Sequence, residues 1–273
     1  MGATRAAARP VYRAPAVSHD VHAAWEEAAQ RLGGAHYRPA SGHSERAVRA
    51  VVEGAEVVLD LHHEGAFTWT RASTPVDEPG FTLDLEREGF GTRLATAFGG
   101  QDVLVGDAAF DDAVRVRSNR PNLARAWLDS AARCVVLELR EATLHVNAGR
   151  ALALTVGTAD TVAALVALAR GCSRLAAAGR ELERRWQEAA RELGASGAAR
   201  AGLGFEVLGS GGLVRVAVLA ERDVVELSLA RGSGVTVREI QDAVTPDVAA
   251  WREAIARLVT EAERREQAAG PYR

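Results

Sequence analysis

Apolar and polar positions alternate along the chain with two periods, about 3.6 residues for helices and about two for strands. The first helical pattern begins at Ser18 and Asp20, and its apolar face extends to Leu32, where Gly33 follows. Between residues 48 and 85 the period changes to that of strands, which predicts an antiparallel meander with one wetter face. A loop with a short helix near residues 93–97 is expected next.

The middle of the chain returns to helical patterns. Pro121 begins a helical region that continues, with a break, to about Leu139. A β-hairpin is predicted over residues 143–156. Thr158 or Asp160 then begins a long apolar helix.

The last third is predicted to contain two further helices with strands between them. One helix extends from Glu181 to Leu193, and the other begins with Thr245 as its cap and Pro246 at its first position. The strands between them are predicted at residues 205–208, 213–219, 224–229 and 235–237.

Part of this pattern occurs twice in the sequence itself. Trp25–Gly33 (WEEAAQRLG) is similar to Trp186–Gly194 (WQEAARELG), and both segments lead into strand patterns. Residues 56–65 align without gaps with residues 223–232. Alanine-rich helices also resemble one another by chance, but the shared Trp, Leu and Gly spacing favours a degenerate duplication.

We therefore predict an α+β fold in which antiparallel sheets pack against helices, built as a degenerate tandem repeat of a helix–strands–helix module. The predicted parts are a disordered N-terminal arm at residues 1–17, a first module at 18–179 and a second, shorter module at 180–269. The two modules either form a pseudo-dimer or extend a common sheet.

Composition excludes several classes of function. All 33 basic residues are arginine, so Walker-type phosphate loops and lysine Schiff bases are excluded, among them those of pyridoxal phosphate enzymes. The net charge of −3 gives no basic footprint for nucleic acid. The two cysteines, Cys134 and Cys172, are far apart, which argues against a disulfide scaffold, and we expect both to be buried and inert.

Targeting signals are not predicted. The segment Met1–Val17 lacks the apolar stretch of a signal peptide. The most apolar segment, Thr161–Ala169, is too short to cross about 30 Å of hydrocarbon. We expect a cytoplasmic protein without a membrane span.

The segment Gly106–Leu128 carries a Gly-Asp-x-x-Phe-Asp turn, a strand and a helix that starts with proline. With the Trp-x-x-x-Ala-x-x-Leu-Gly helix and the meander upstream, it resembles an uncharacterised bacterial family, a domain of unknown function, over about residues 20–180. The resemblance implies an architecture and no activity. This chain departs from the family pattern by its additional second module. In the turn, Gly106 supplies an unusual backbone angle, Asp107 and Asp111 cap N–H groups, and Phe110 enters the core.

Two groups of side chains could hold a metal ion. Asp60, His62 and Glu64 share one face of a predicted strand and offer an oxygen–nitrogen–oxygen set. The alternative is a solvated strand face. On the first helix, His19, His22 and Glu26 follow one another at helical spacing, although histidines near a helix start are usually solvated; His36 and His43 are placed in a loop.

Because no catalytic motif is found, we predict a non-catalytic protein that acts through protein–protein contacts or as an accessory subunit. Its partner would be another protein or a second copy of the chain, with no cofactor, nucleic acid or membrane. The alternatives are a small-ligand-binding protein or enzyme with a pocket between sheet and helix, and a metal-dependent hydrolase. A pocket lined by Arg115, Arg117 or His62 would favour the ligand-binding alternative, and a flat apolar patch or open strand edge would favour the protein–protein interaction.

Overall fold

The computed structural model describes residues 19–37, 46–64, 67–77, 80–87, 101–139, 141–195, 203–209 and 211–269. Over these residues the predicted α+β class is confirmed. The predicted arm at 1–17 and the short helix near 93–97 lie outside the described residues.

Six helices and thirteen strands form this part of the chain. The helices are α1 (His19–Arg31), α2 (Ala108–Asp111), α3 (Pro121–Trp127), α4 (Ser130–Glu138), α5 (Val162–Glu192) and α6 (Val248–Ala269). Strands of the first sheet are β1 (Ala35–Tyr37), β2 (Ala47–Val52), β3 (Ala55–Glu64), β4 (Phe67–Pro75), β5 (Leu83–Arg87), β6 (Gln101–Asp102), β7 (Val114–Ser118), β8 (Thr143–Asn147) and β9 (Arg150–Val156). Strands of the second are β10 (Gly204–Gly209), β11 (Gly212–Leu219), β12 (Val224–Ala230) and β13 (Thr236–Gln241).

The strands form two separate antiparallel sheets. The first has nine strands in the order β1-β2-β3-β4-β9-β8-β5-β7-β6, and the second is the four-stranded meander β10-β11-β12-β13. The β8–β9 hairpin therefore enters the first sheet between β4 and β5, although it comes later in the chain. Of the two arrangements left open by the sequence, a common sheet is wrong for the described strands.

A single long helix, α5, connects the two sheets. The sequence predicted two helices here, but α5 continues from Val162 to Glu192 through both internal glycines. At Gly171 an added Cβ would lie 2.3 Å from Leu139 Cδ1, and at Gly179 it would lie 2.3 Å from Trp127 Cη2. Both glycines therefore provide close packing rather than a break, and the predicted module boundary at 179 falls inside α5.

The first turns of two helices differ from the prediction. Thr161 caps α5, because its hydroxyl accepts a hydrogen bond from Ala164 N at 3.2 Å. Asp247, not Thr245, caps α6 by accepting from Ala250 N at 3.0 Å. The sequence signals placed each helix start within a few residues, which is the usual accuracy at helix ends.

Helices α1 and α5, which carry the two similar Trp segments, end in the same way. Gly33 and Gly194 both have positive φ, at 63° and 78°. Gly34 N donates to Ala29 O at 2.8 Å, and Ala195 N donates to Ala190 O at 2.9 Å, which is the Schellman pattern in both cases. The indoles also match, because Trp25 Nε1 donates to Ala159 O and Trp186 Nε1 to Val244 O, each in the loop before a closing helix. The duplication itself stays a prediction.

The gapless alignment of residues 56–65 with 223–232 is wrong by one position. The inner face of β3 consists of Val57, Leu59 and Leu61, and that of β12 consists of Val225, Leu227 and Leu229. The alignment placed Asp60, on the outer face, against the buried Leu227. The first residue after the turn is Ala55, on the inner face, in β3, but Val224, on the outer face, in β12. A shift of one residue reverses every side chain.

A contact from the second sheet holds the start of α3. Its N-cap, Arg120, makes no capping bond with its own side chain. Instead Asp223, in the turn between β11 and β12, accepts from Leu123 N at 3.2 Å and from Asn122 N. Its backbone carbonyl accepts from Asn122 Nδ2 at 2.7 Å, and its carboxylate lies 3.5 Å from Arg120 Nε.

Helix α5 is the core helix of the molecule. It packs on β2, β3, β4 and β9 at one end and on β10 at the other. By length and composition alone it could cross a membrane, but half of its apolar window is buried inside the protein. A core helix of a soluble protein passes the same test, so this finding is weak evidence for a membrane span.

Candidate functional site

The nine-stranded sheet presents one face to the helices and the other face away from them. Thr70 and Ala72 of β4 are fully buried on the inner face, where Thr70 Oγ1 donates to Gly157 O at 2.9 Å. Alternate residues, among them Trp69 and Arg71, therefore lie on the outer face. The metal set predicted from the sequence, Asp60, His62 and Glu64, belongs to this face, on β3.

Exposed apolar side chains form a patch on the outer face at β4 and β9. Phe67 is 58% exposed and Val156 is 57% exposed. Trp69 lies directly opposite Val156 in the sheet, and Leu154 lies two residues further along β9 on the same face; both are half-buried. We call Phe67, Trp69, Leu154 and Val156 the outer patch. Pairs of large, exposed apolar residues on one sheet face are typical of interaction surfaces.

Asp60 beside this patch is held by an arginine. Arg71 Nε and Nη2 donate to the two carboxylate oxygens of Asp60 at 2.9 and 2.7 Å, a bidentate pair between neighbouring strands. His62 lies opposite Trp69 on the same face, and Glu64 ends β3, but the side chain of Glu64 lies outside the described ones. The metal set predicted on β3 thus has one carboxylate already engaged by a cation.

A second polar group on the outer face links β5 and β8. His145 Nδ1 lies 2.6 Å from Asp84 Oδ1, and His145 Nε2 lies 3.1 Å from Thr143 Oγ1. A hydroxyl, an imidazole and a carboxylate in this order resemble a nucleophile with its base and orienting acid. Thr143 and His145 are both buried, so the hydroxyl is not presented to a substrate. We assign the group to satisfying buried polar atoms within the sheet.

The two arginines predicted to meet an anionic ligand are also paired. Arg115 donates to Asp102 through Nε at 3.1 Å and Nη2 at 2.9 Å, and Arg117 Nε lies 3.4 Å from the same carboxylate. Hydrogen bonds from Arg115 hold the pKa of Asp102 below its usual value. Both guanidinium groups predicted to meet an anionic ligand are thus engaged by a carboxylate at this strand edge.

A cavity of about 430 Å³ lies elsewhere, beside α3 and α5. It is bounded by the end of β4 at Pro75, by Trp127 of α3, by Gly179 and Arg180 of α5, and by Leu203 before β10. None of the residues Arg115, Arg117 and His62 lines it. The cavity lies between sheet and helix as the ligand-binding alternative requires, but without the predicted residues.

A third cluster joins α1 to the edge of the first sheet. Of the described His, Cys, Asp and Glu side chains, those of His22, Glu26 and His36 come close enough to share one metal ion, with ligand atoms within 4.8 Å of one another. The sequence had grouped His22 and Glu26 with His19, whose side chain is not described, and had placed His36 in a loop. His36 instead lies in β1, which the reversal at Gly33-Gly34 returns alongside α1.

Electrostatics within this cluster favour a neutral imidazole at His36. Burial lowers the pKa of His36 from its ordinary value, and the charges of His22 and Arg46 lower it further, while that of Glu26 raises it. His22 Nε2 lies 3.1 Å from Glu26 Oε1, one helical turn away. The rings of His22 and His36 meet edge to face, with centroids 5.2 Å apart.

The Gly-Asp-x-x-Phe-Asp turn has the structural role that the sequence predicted. Gly106 has φ of 83°, and Phe110 is fully buried. Asp111 accepts from Val105 N and Gly106 N at 2.9 and 3.0 Å, and Asp107 caps α2. Asp107 also lies 3.1 Å from Arg133 Nε, a partner distant in sequence.

The prediction that both cysteines are buried is half wrong. Cys172 of α5 is fully buried, its Sγ donates to Ala151 O at 3.1 Å, and burial raises its pKa to about 12. Cys134 is exposed. The short helix α4 buries Ala132 and Val136, and Cys134 lies between them on the opposite side.

Comparisons with known proteins bring no family to this arrangement. No protein-family model matches the chain, and no curated protein matches its sequence. The crystal structure of the mycobacterial trehalose monomycolate transport factor A, TtfA, aligns with 60% of this chain and 96% of its own, at 13% identity and a TM-score of 0.44. A similarity at this level carries no conclusion about function. The resemblance to the uncharacterised bacterial family stays a prediction.

Proposed function

We propose that this chain is a non-catalytic accessory protein that binds another protein through the outer face of its nine-stranded sheet. The observation that carries the proposal is the outer patch, in which Phe67 and Val156 are each more than half exposed on a strand pair. Burying such side chains against a partner is favourable by roughly 25 cal/mol for each Å² of apolar surface.

The charged residues around the patch support a protein partner rather than a small anion. Asp60 and Arg71 neutralise one another beside Trp69, and Asp102 neutralises Arg115 further along the face. Paired charges next to an apolar centre are typical of the rim of a protein interface. An anion-binding pocket would instead need a guanidinium whose hydrogen bonds are available to the ligand.

Paired capture experiments test the proposal. Wild-type protein and a Phe67→Ser, Val156→Ser variant, each at endogenous level in the native host, are compared by affinity capture and quantitative mass spectrometry. A Leu208→Ser variant is the matched control, because Leu208 is 75% exposed on the second sheet and is equally apolar. Circular dichroism verifies that all three proteins are folded.

We expect the double variant to lose a partner that the wild type and the control both retain. If the partner is a second copy of the chain, size-exclusion chromatography with light scattering will detect an oligomer that the double variant lacks. Retention of every partner by the double variant, or equal loss in the control, would contradict the assignment of the outer face.

A further inference from the structure

The cluster of His22, Glu26 and His36 combines two elements, α1 and β1, that are adjacent in sequence and in contact. His22 and Glu26 lie one turn apart on α1, so both side chains lie on the same side of the helix. His36 is the middle residue of β1, opposite Val48 of β2. Their ligand atoms all lie within 4.8 Å of one another.

One buried atom of this cluster has no hydrogen-bond partner in the part of the chain that the structure describes. His36 Nε2 is buried and has no hydrogen-bond partner among the described residues. Folded proteins leave few buried polar atoms without a partner, because desolvating such an atom without a hydrogen bond is costly. A ligand atom or ion at this position would satisfy the nitrogen.

We propose that His22, Glu26 and His36 bind one divalent transition-metal ion of the zinc class. Two imidazoles with one carboxylate suit zinc, copper or nickel, whereas calcium and magnesium prefer oxygen ligands. Metal–ligand bonds of about 2.0–2.2 Å require the ligand atoms to come within roughly 3–3.5 Å of one another. The side chains of His22 and Glu26 are 50% and 53% exposed, so rotation of these two closes the remaining distance.

Charged groups of both signs act on the site. Glu26 contributes a negative charge, and Arg46 contributes a positive charge that also acts on His36. Arg46 opposes a dication and limits its affinity, while Glu26 as a ligand offsets this repulsion. Three protein ligands leave at least one coordination position for water, as in zinc sites that are not purely structural.

The second module does not reproduce the cluster. In the alignment of Trp25 with Trp186, the positions of His22 and Glu26 correspond to Glu183 and Gln187. Bound metal is therefore expected at one ion per chain. The inference is independent of the proposed function, because the site lies at the β1 edge of the sheet and the outer patch lies at β4 and β9.

Titration of full-length, tag-free protein tests the site. After treatment with a chelator and its removal, Zn²⁺ binding is measured by calorimetry and Co²⁺ binding by visible absorption. We expect one ion per chain, and each of His22→Gln, Glu26→Gln and His36→Gln to weaken binding by about tenfold or more. Zn²⁺ should raise the melting temperature of the wild type but not of His36→Gln, because ligation ties β1 to α1.

Two control variants separate this site from its neighbours. His63→Gln, at an exposed position near the end of β3, should leave binding unchanged. His19→Gln tests a site made by α1 alone and should also have little effect.

Absence of stoichiometric binding, or binding that survives His36→Gln, would overturn the proposal. Loss of binding in His19→Gln equal to that in His36→Gln would overturn the three-residue assignment. His22→Gln and Glu26→Gln alter exposed side chains, so the test does not depend on the folding of His36→Gln.

Discussion

Asp223 lies in the turn between β11 and β12 and also caps helix α3. Its backbone has φ of 52°, a left-handed conformation that aspartate tolerates better than most residues. From this turn its carboxylate accepts hydrogen bonds from the first turn of α3 and lies next to Arg120, with both side chains less than one tenth exposed. One residue thereby supplies the missing N-cap of a helix and joins the second module to the first.

Replacing Asp223 with alanine should be strongly destabilising. The substitution removes the cap of α3 and a carboxylate that lies 3.5 Å from Arg120 Nε, so we expect the free energy of unfolding to fall by about 2 kcal/mol. Urea denaturation followed by tryptophan fluorescence measures the change. Asp242→Ala, at an exposed position, should change it by less than about 0.5 kcal/mol. A loss at Asp223 no larger than this would contradict the assigned contact.

The two thiols should react very differently. Cys134 is exposed, whereas Cys172 is buried and its pKa is raised to about 12, so almost no thiolate forms at neutral pH. In a thiol-reagent assay of native protein we expect one fast equivalent, which Cys134→Ser abolishes, and a second only after denaturation. Rapid reaction of both thiols in the native state would show that α5 does not bury Cys172.

Helix α5 is continuous, although its sequence predicted bends. Gly171 and Gly179 in an alanine-rich helix predicted bends, because glycine disfavours helices by about 1 kcal/mol relative to alanine. In the structure both glycines lie under large side chains of the first module, Leu139 and Trp127. Which large residue packs there depends on long-range contacts, so local propensity could not predict a continuous helix.

Gly179→Ala should destabilise the protein although alanine is the better helix former. Trp127 cannot easily move, because its Nε1 donates to Leu175 O at 2.8 Å and its ring contacts Phe81. Overpacking costs about 1–3 kcal/mol, which exceeds the helix gain of about 1 kcal/mol. We expect a net loss of about 1 kcal/mol in chemical denaturation and little change for the neighbouring Arg180→Ala. A stabilised Gly179→Ala variant would contradict this packing.

The strands were predicted more accurately than the alignment between the two copies of the repeat. Residues 48–85 and 205–237 alternate clearly, because each strand has one face on a core. The copies of the repeat were nevertheless misaligned by one residue, because the alignment matched the two Val-Val pairs, 57–58 and 224–225, whereas the inner residues are Val57 and Val225. The sequence also missed His36 as a partner of His22, because β1 has only three residues and no periodic signal.

The whole molecule is built around the shared helix. One hydrophobic core extends from Trp25 of α1 through Leu175 of α5 to Trp251 of α6, although the sheets are separate. The sequence predicted the helices, the meanders and the α+β class from local patterns. It could not predict that β8 and β9 enter between β4 and β5, since such an order is decided by contacts across the whole chain.

The sequence predicted candidate functional residues on the outer face, but not which other side chains lie next to them. Asp60 and His62 were selected as metal ligands from their spacing on one strand. Arg71, which engages Asp60, comes from the next strand, and the patch at Phe67 and Val156 joins segments almost ninety residues apart. Surfaces of this kind become visible only when the sheet order is known.

Site-specific photocrosslinking tests most directly whether the protein acts through the outer face. Benzoylphenylalanine is placed at Phe67 or Val156 on the outer patch, or at Leu208 on the second sheet, and the protein is irradiated in its native host. We expect the two outer-patch probes to form an adduct with the same protein, identified by mass spectrometry, and the Leu208 probe to form none with it. Crosslinking of that protein from Leu208 alone, or equally from all three positions, would contradict the proposed role of the outer face.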